Sequence, residues 1–504
     1  MTLGVLGIIL SLIFLIVAAY RGMSVIIAAP LAALVALIFA GMPLLPGYTE
    51  IFMTGAAGFI INYFPLFLAG AVFGQLMRVS GFAEGIAHTI VRILGPKRAI
   101  LGTVLICSIL AYGGVSVFVV VFVMFPLALE LFRAADIPRR LIPATISLGA
   151  FTFVMTALPG SPQIQNVIPG KFLGTNTFAA PVIGIISGAL MFTLGMLYLE
   201  WRKKKMIAAG ENFATITDME QRQAKKGSTR SVRVDAAGEQ HASDGVVDPD
   251  AATDERSGST AASLRTATGE PTEHQIRLLP FLPIVAVFVV NILATYVVLP
   301  AMDWSMLGEE LYGGISLQDR ISTWAVLLAL LAAILVVLLI NIGRLGELFQ
   351  AFAQGARDSL MPIFNTASEV GYGTVIGSVA AFAVVREAVT GLSSNALLNS
   401  AVAVSALAGI TGSASGGMTI ALNTLGDDLI LQAENQGLAM ETMHRIIAMG
   451  SGGLDTMPHN GAIISLLIIC NLTHRDSYKD IFVITLAITS AVTLLMIAIL
   501  SIFG

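Results

Sequence analysis

The chain is 504 residues long, 56% of its residues are hydrophobic, only 12% are charged, and the formal net charge is −4. A soluble domain usually carries about 25% charged residues, so this chain has too few charges to cover a water-soluble particle of its size. Several apolar runs also reach the roughly 18 residues that a helix needs to cross a membrane. These facts exclude a soluble enzyme, a secreted disulfide scaffold and a nucleic-acid-binding protein, and they predict an all-α polytopic membrane protein.

Apolar segments lie on both sides of one polar stretch, and each side has six. Those before the polar stretch lie near residues 3–20, 23–45, 54–77, 99–132, 141–170 and 178–201. Those after it lie near residues 278–301, 322–342, 351–380, 395–432, 445–473 and 480–503. The equal numbers predict two membrane repeats, residues 1–201 and residues 278–504.

The polar stretch, residues 202–277, carries 12 Lys/Arg and 12 Asp/Glu and has Phe213 as its single aromatic residue. A segment of this composition cannot bury enough apolar surface to offset the entropy lost on ordering. We therefore expect a flexible linker between the two repeats. A regulatory or partner-binding role for this linker is the alternative.

The positions of Lys and Arg predict the orientation of the segments, because these residues accumulate on the cytoplasmic side of a membrane. The cluster from Arg202 to Lys205 places the linker in the cytoplasm. Residues 78–98 and 133–140 also carry Arg and belong inside, so segment 99–132 must return to the side it came from, as a re-entrant helical hairpin. The same rule predicts the opposite orientation for the second half, so segment 395–432 would be a re-entrant hairpin that enters the membrane from outside. Four cations then lie outside: Lys171, Arg320, Arg386 and Arg445.

Internal similarity agrees with a duplication. Residues Tyr112–Ser116 correspond to Thr411–Ser415 at an offset of 299 positions, and the same offset carries Pro159 onto Pro458. Inverted repeats whose broken helices meet near the membrane midplane are typical of secondary transporters. The sequence therefore predicts two inverted-topology repeats, each with a re-entrant hairpin and a broken transmembrane helix.

Polar, glycine-rich interruptions break the apolar segments at residues 112–116, 158–166, 411–417 and 455–461. Unpaired backbone groups cost several kcal/mol against lipid, so such breaks must line a cavity or pack within protein. Glycine lets a ligand approach the backbone, and half-helix N-termini offer N–H groups to an anion. Ordinary kinks or close helix crossings are the alternative. The residues predicted to bind substrate are Gly113, Gly114, Ser116, Gly160, Ser161, Gln163, Asn166, Gly412, Ser413, Ser415, His459 and Asn460.

Few ionisable residues lie within the apolar segments, and such residues indicate a function in a membrane. We predict that Asp455, His459 and Glu369 carry a coupling proton, although Glu369 could equally be a structural hydrogen-bond acceptor. Histidine is suited to this role because its unperturbed pKa is about 6.5. No Arg or Lys lies in the four breaks, so the anion would be held by helix ends and amides. Other histidines, His444 among them, are expected to contact solvent.

The sequences around two of these breaks resemble motifs of a known protein family. Ala157–Pro169, followed by Gly174–Thr177 and Ala179–Pro181, resembles the gluconate:proton symporter family, and Asp455–Ala462 is similar to the second-half motif of that family. The resemblance implies membership of the ion-transporter superfamily, a scaffold part, a transport part with two re-entrant hairpins, and homodimers. It also implies a small organic anion carried with protons, such as gluconate or 3-hydroxybutyrate.

We therefore expect a secondary active transporter in the bacterial cytoplasmic membrane that imports a small hydroxycarboxylate together with protons. It would contact membrane lipid, bind no nucleic acid, and need no cofactor or metal. Sodium coupling is an alternative, because unwound carbonyls could also ligate Na⁺, and a passive anion channel is another. A membrane-embedded enzyme or a sensor is disfavoured, because the sequence shows no nucleophile motif, no metal cluster and no structured soluble domain.

Overall fold

A computed structural model of the chain describes residues 2–21, 23–95, 98–115, 117–215 and 278–503. These residues form helices joined by turns, and no β-strand occurs among them. The predicted all-α polytopic fold is confirmed. Two predictions fall outside the described residues: the contact of Ser116 with substrate, and most of the linker, residues 216–277.

The helices of the two halves follow the same order. In the first half they are α1 (Thr2–Tyr20), α2 (Val25–Ala40), α3 (Met53–Val79), α4 (Phe82–Leu94), α5 (Ala99–Tyr112), α6 (Val117–Ala134), α7 (Ile142–Ala150), α8 (Phe153–Thr156), α9 (Ile164–Leu173) and α10 (Pro181–Ala208). In the second half they are α11 (Leu282–Leu293), α12 (Ile321–Ile340), α13 (Leu345–Ser378), α14 (Phe382–Thr390), α15 (Ala396–Thr411), α16 (Ala414–Asn435), α17 (Met440–Leu454), α18 (Gly461–Ile469), α19 (His474–Phe482) and α20 (Ile488–Phe503). Each half thus has two helices, a long helix, a short helix, a helical hairpin, a broken helix and a closing helical segment.

Several helices are long and apolar enough to cross a membrane. Within the described ranges these are Leu44–Val79, Pro181–Ala208, Leu279–Val298, Ile321–Ile340 and His474–Ile502. In contrast, α5 has 14 residues and α15 has 16. At 1.5 Å per residue they are about 21 and 24 Å long, less than the roughly 30 Å of a hydrocarbon core. These lengths suit hairpins that enter the membrane without crossing it.

The long helices α3 and α13 join the two halves along a close seam. A Cβ on Gly55 of α3 would lie 2.1 Å from Thr374 Oγ1 and 3.3 Å from Gly371 of α13. Farther along, a Cβ on Gly355 of α13 would lie 2.6 Å from Val72 Cα of α3. Only glycine allows such approaches. Because the contact positions run in opposite directions, α3 and α13 are antiparallel, which is compatible with an inverted repeat.

The first part of the predicted linker is packed against the first half. Helix α10 continues past residue 201 to Ala208. Beyond it, Glu211 forms an ion pair of 2.5 Å with Arg140, and the guanidinium carbon of Arg133 lies 5.2 Å from the centre of the Phe213 ring. Residues 209–215 therefore pack against the first half, within the stretch that composition assigned to the linker. Arg202, closer to the membrane helices, instead pairs with Asp480 of the second half at 2.7 Å.

Candidate functional site

In the described part of the chain, helices are interrupted at each of the four predicted polar stretches, and also at residues 151–152 and 379–381. The first hairpin, α5–α6, turns at residues 113–115, and the second hairpin, α15–α16, turns at residues 412–413. The first break, residues 157–163, separates α8 from α9, and the second break, residues 455–460, separates α17 from α18. Each half thus has one hairpin and one break, in the same order.

The first hairpin and the first break bind each other directly. Gln163 Nε2 donates a hydrogen bond to the Ala111 carbonyl at 2.6 Å. The Tyr112 hydroxyl donates to the Pro159 carbonyl at 2.8 Å. Gly114 has a φ of +88°, a conformation that favours glycine. The Ala111 carbonyl also accepts from the Gly114 N–H at 3.1 Å. The two side-chain bonds thus hold the first hairpin and the first break together.

A buried arginine from the second half completes the first break. Arg445, on α17, is 0% exposed. Its guanidinium donates to Asn166 Oδ1 at 2.8 Å, to the Ala179 carbonyl at 2.7 Å and to the Thr177 carbonyl at 3.2 Å. Asn166 Nδ2 in turn donates to the Ser161 and Thr177 carbonyls, both at 2.9 Å. Every acceptor that the structure shows for this arginine is neutral, so the break has a positive charge beside it.

Two expectations about the start of α17 need correction. The first counted Arg445 among the cations outside, whereas its side chain is buried within the protein. The physical reason is that α17 begins at Met440, so Arg445 lies in its second turn and faces inward. His444 was expected to contact solvent, but it is 0% exposed, and its Nδ1 lies 2.7 Å from Thr175 Oγ1. Assigning cations to loops by sequence misplaces residues near an unrecognised helix start.

The second hairpin and the second break meet in a similar way. Asn460 Nδ2 donates to the Gly412 carbonyl at 2.7 Å and to the Asp455 carbonyl at 2.8 Å. Its Oδ1 accepts from the Ile463 N–H at 2.9 Å and so caps α18. A Cβ on Gly412 would lie 2.9 Å from His459 Cδ2, so the imidazole lies against the hairpin turn. Asn460 binds the second hairpin as Gln163 binds the first.

Glu369 reaches the second hairpin from α13. The residue is 4% exposed, and its Oε2 lies 2.1 Å from where a Cβ on Gly416 would be. Ser413 Oγ accepts from the Gly416 N–H at 3.1 Å and lies 3.4 Å from Ser415 Oγ. The carboxyl group therefore lies beside serine hydroxyls at the N-terminus of α16, a position where negative charge is favoured.

The elements that carry the breaks pack across the two halves. Helix α9 packs against α16 and α17, and α18 packs against α6. A Cβ on Gly452 of α17 would lie 2.8 Å from Thr156 Cγ2 at the end of α8. The second part of each broken helix thus contacts the hairpin of the other half, so the breaks belong to one packed region.

Six of the eighteen buried side-chain atoms without a hydrogen-bond partner among the described residues lie at this region. Such atoms are few in folded proteins, because each costs about 1–3 kcal/mol. Asn291, on α11, belongs to the first break, because its Nδ2 donates to the Gly160 carbonyl at 3.0 Å. Within the described part of the chain, the unpartnered atoms at the breaks are Ser161 Oγ, Gln165 Oε1, Asn291 Oδ1, Glu369 Oε2, Asp455 Oδ1 and His459 Nε2. The described residues provide no hydrogen-bond partner for these atoms.

The structure separates the predicted site residues into groups. Gln163, Gly412, His459 and Asn460 lie where a hairpin meets a break, and Ser161 and Asn166 lie in the Arg445 network. Gly113, Gly114 and Gly160 contact side chains instead, since a Cβ on each would lie 2.3–2.7 Å from Ile284, Leu330 or Phe178. Sequence reasoning missed Arg445, His444 and Asn291. Of these three, only Asn291 could have been recognised in the sequence, because it is an isolated amide residue in an apolar run.

Long apolar helices, two hairpins and two broken helices with buried polar turns define a multi-pass membrane transporter. The chain belongs to the CitMHS family, described as citrate transporters, whose profile matches residues 7–426. This family is part of the ion-transporter superfamily.

Relatives and a solved structure resemble the chain to different degrees. It is 40% identical over 505 residues to the uncharacterized transporter YxjC of Bacillus subtilis (strain 168), over 99% of this chain and 98% of the relative. An uncharacterized transporter of Haemophilus influenzae is 28% identical over 170 residues, which is 33% of this chain and 37% of that protein. The crystal structure of the Alcanivorax borkumensis YdaH transporter superposes with a TM-score of 0.48 and 15% identity, over 93% of this chain and 88% of that one.

The family match tests several of the predictions made from the sequence. It confirms that the chain is a transporter and not an enzyme. It also supports a multi-pass membrane protein. The narrower resemblance to gluconate:proton symporters finds no support in these matches, and neither do gluconate and 3-hydroxybutyrate as substrates.

Proposed function

We propose that this protein is a proton-coupled secondary importer of a hydroxycarboxylate, with citrate as the first candidate. The observation that carries the proposal is the set of unpartnered buried polar atoms at the first break, the second hairpin and the second break. Membership of the citrate transporter family supports the substrate class. The proposal includes a location in the bacterial cytoplasmic membrane, a cytoplasmic linker and a homodimer.

A hydroxycarboxylate suits the groups that the breaks offer. Serine hydroxyls such as those of Ser161 and Ser413 can donate to a carboxylate or accept from a substrate hydroxyl. The N–H groups of Arg445 already donate to Asn166 and to backbone carbonyls, so this residue contributes charge and not free donors. A free citrate trianion would bring more charge than one arginine balances, and buried unbalanced charge is costly. Protonated or magnesium-bound citrate, with its smaller net charge, is therefore favoured.

We place proton coupling on Asp455, His459 and Glu369. All three are buried, and each has one unpartnered polar atom. The His459 ring lies against Gly412, so its protonation would put a positive charge at the turn of the second hairpin. Because opposite charges attract strongly where water is scarce, proton and anion binding would support each other. Sodium ligated by carbonyls of the breaks is the competing mechanism.

Uptake into liposomes that contain the purified protein tests the proposal. Labelled citrate, with and without Mg²⁺, and gluconate and 3-hydroxybutyrate would be offered under a pH gradient (alkaline inside), an inward Na⁺ gradient or no gradient. We expect a hydroxycarboxylate to accumulate above its external concentration only with the pH gradient, and a protonophore to abolish this. Accumulation driven by the Na⁺ gradient alone would identify Na⁺, and not the proton, as the coupling ion. Equilibration without accumulation would indicate a channel. No uptake of any carboxylate would overturn the proposal.

A further inference from the structure

A polar cavity of about 430 Å³ lies between the long helices and the elements that carry the breaks. Its walls come from α3, α9, α13 and α16, and their polar side chains include Asn62, Lys171, Thr374 and Asn423. Ligand pockets usually measure about 300–1,000 Å³, so a small carboxylate fits. None of the described residues that line the cavity is acidic. The cavity therefore offers hydroxyls, amides and a cation.

Lys171 supplies the cation. It lies in the last turn of α9 and is partly buried. Its ammonium nitrogen lies 5.7 Å from the centre of the Phe172 ring, and the described part of the chain provides no hydrogen bond or ion pair for it. Arg320 adds positive charge nearby, since its Nη1 donates to Asn62 Oδ1 at 2.6 Å. The adjacent carboxylate of Asp319 is engaged by the Ser316 N–H and hydroxyl, at 2.7 and 2.8 Å.

The cavity adjoins the second hairpin and the element that follows the first break. Val370, in its wall, directly follows Glu369. Thr419, also in the wall, donates through Oγ1 to the Ser415 carbonyl at 2.7 Å. Lys171 lies on α9, which begins directly after the first break. An anion in the cavity would thus lie next to residues of the transport site.

We propose that this cavity is a carboxylate-binding vestibule of the transport site, with Lys171 as the counter-charge and the amide of Asn423, in its wall, as a donor. The inference rests on the proposed function, because the anion is the transported carboxylate. A cation in a narrow cleft raises the local concentration of anions and their rate of capture. Salt screens this attraction, so the advantage must shrink as ionic strength rises.

Transport kinetics of Lys171→Gln test the role of the charge, with the carboxylate that the wild type takes up. We expect its apparent KM at low salt to rise about 5- to 10-fold with a maximal rate within about twofold of normal, and the difference to narrow at high salt. Lys171→Arg keeps the charge and should keep KM low. Lys204→Gln removes an exposed lysine of α10 and should behave as the wild type. An unchanged KM in Lys171→Gln overturns the vestibule.

A second measurement does not depend on transport. Asn423→Cys places a thiol in the cavity wall, to be modified by an anionic or a cationic methanethiosulfonate reagent of similar size. We expect faster reaction with the anionic reagent, loss of this preference in Lys171→Gln, and protection by the substrate. Equal rates for both reagents would overturn the vestibule. Anionic preference in a protein that takes up no carboxylate would instead overturn the proposed function and leave the anion selectivity of the cavity standing.

Discussion

At the scale of single residues, the second break places a titratable ring against the turn of a hairpin. The His459 imidazole lies beneath Gly412, and its Nε2 has no hydrogen-bond partner among the described residues. Asn460 holds the same turn through its amide. A change in the charge of His459 would therefore act directly on the hairpin and on any anion bound there.

His459→Gln keeps the approximate size and a donor but cannot titrate. We expect this variant to lose accumulation driven by a pH gradient while it retains exchange of labelled for unlabelled substrate. Uptake and counterflow in liposomes measure the two activities separately. His88→Gln, an exposed histidine of α4, is the matched control and should behave normally. A normal pH profile in His459→Gln would move proton coupling to Glu369, which Glu369→Gln would then test.

Arg445 shows what a residue from one half contributes to the break of the other. Arg445→Met would leave Asn166 Oδ1 and the Ala179 carbonyl without this donor, so we expect the free energy of unfolding to fall by about 3 kcal/mol. Arg344→Met breaks an exposed pair with Glu347 and a long hydrogen bond of 3.4 Å to the Val79 carbonyl, and it should cost less than about 1 kcal/mol. Thermal unfolding of the purified variants measures both. Equal stability of the two variants would contradict the network.

At the scale of elements, the sequence predicts where helices break but not what packs on the breaks. Glycine, proline and polar residues inside apolar runs are local signals, and the structure breaks its helices at all four predicted places. The start of α17 at Met440 depends on tertiary packing, so the inward position of Arg445 could not be predicted. Asn166 was read as part of a break but lies in α9, because element boundaries depend on contacts that a single sequence does not show.

The turn of the second hairpin gives an element-scale prediction. Gly412 has a φ of +68°, and a Cβ there would meet the His459 ring at 2.9 Å. Gly437 has a similar φ of +65° but open space around it, so Gly437→Ala isolates the cost of backbone strain, about 1 kcal/mol. We expect Gly412→Ala to lower the uptake rate at least about tenfold, a barrier change of about 1.4 kcal/mol, while Gly437→Ala transports normally. Equal uptake by both variants would show that the ring contact has no function.

At the scale of the whole molecule, two halves of similar helix order meet along the antiparallel pair α3 and α13 and exchange contacts through their breaks. Hydrophobic pattern and charge placement predicted the two halves, because those signals are repeated in the sequence. They could not predict the polar cavity between the long helices and the break elements, because its walls come from four helices distant in sequence. The packing of residues 209–215 on the first half was likewise missed, since their composition is that of a linker.

Replacement of the linker tests how the halves are joined. Exchange of residues 216–270 for a short Gly/Ser sequence should leave uptake near normal, because their composition predicts no packed core. Extending the exchange to residue 209 would also remove the ion pair of Glu211 with Arg140 and the contact of the Phe213 ring with Arg133. We therefore expect lower thermal stability. Uptake and membrane abundance report both effects. Loss of transport in the shorter exchange at normal abundance would show that the linker does more than connect the halves.

Substrate protection of cysteines at the two hairpin–break joints tests most directly whether the breaks of both halves form one carboxylate site. Gln163→Cys and Ser413→Cys would be labelled with a small thiol reagent at increasing concentrations of the carboxylate that the wild type accumulates, with the exposed Lys204→Cys as the control. We predict that the substrate protects both joints with the same half-maximal concentration and does not protect the control. Protection of only one joint, or of neither, in variants that still transport would contradict a single site shared by the two halves.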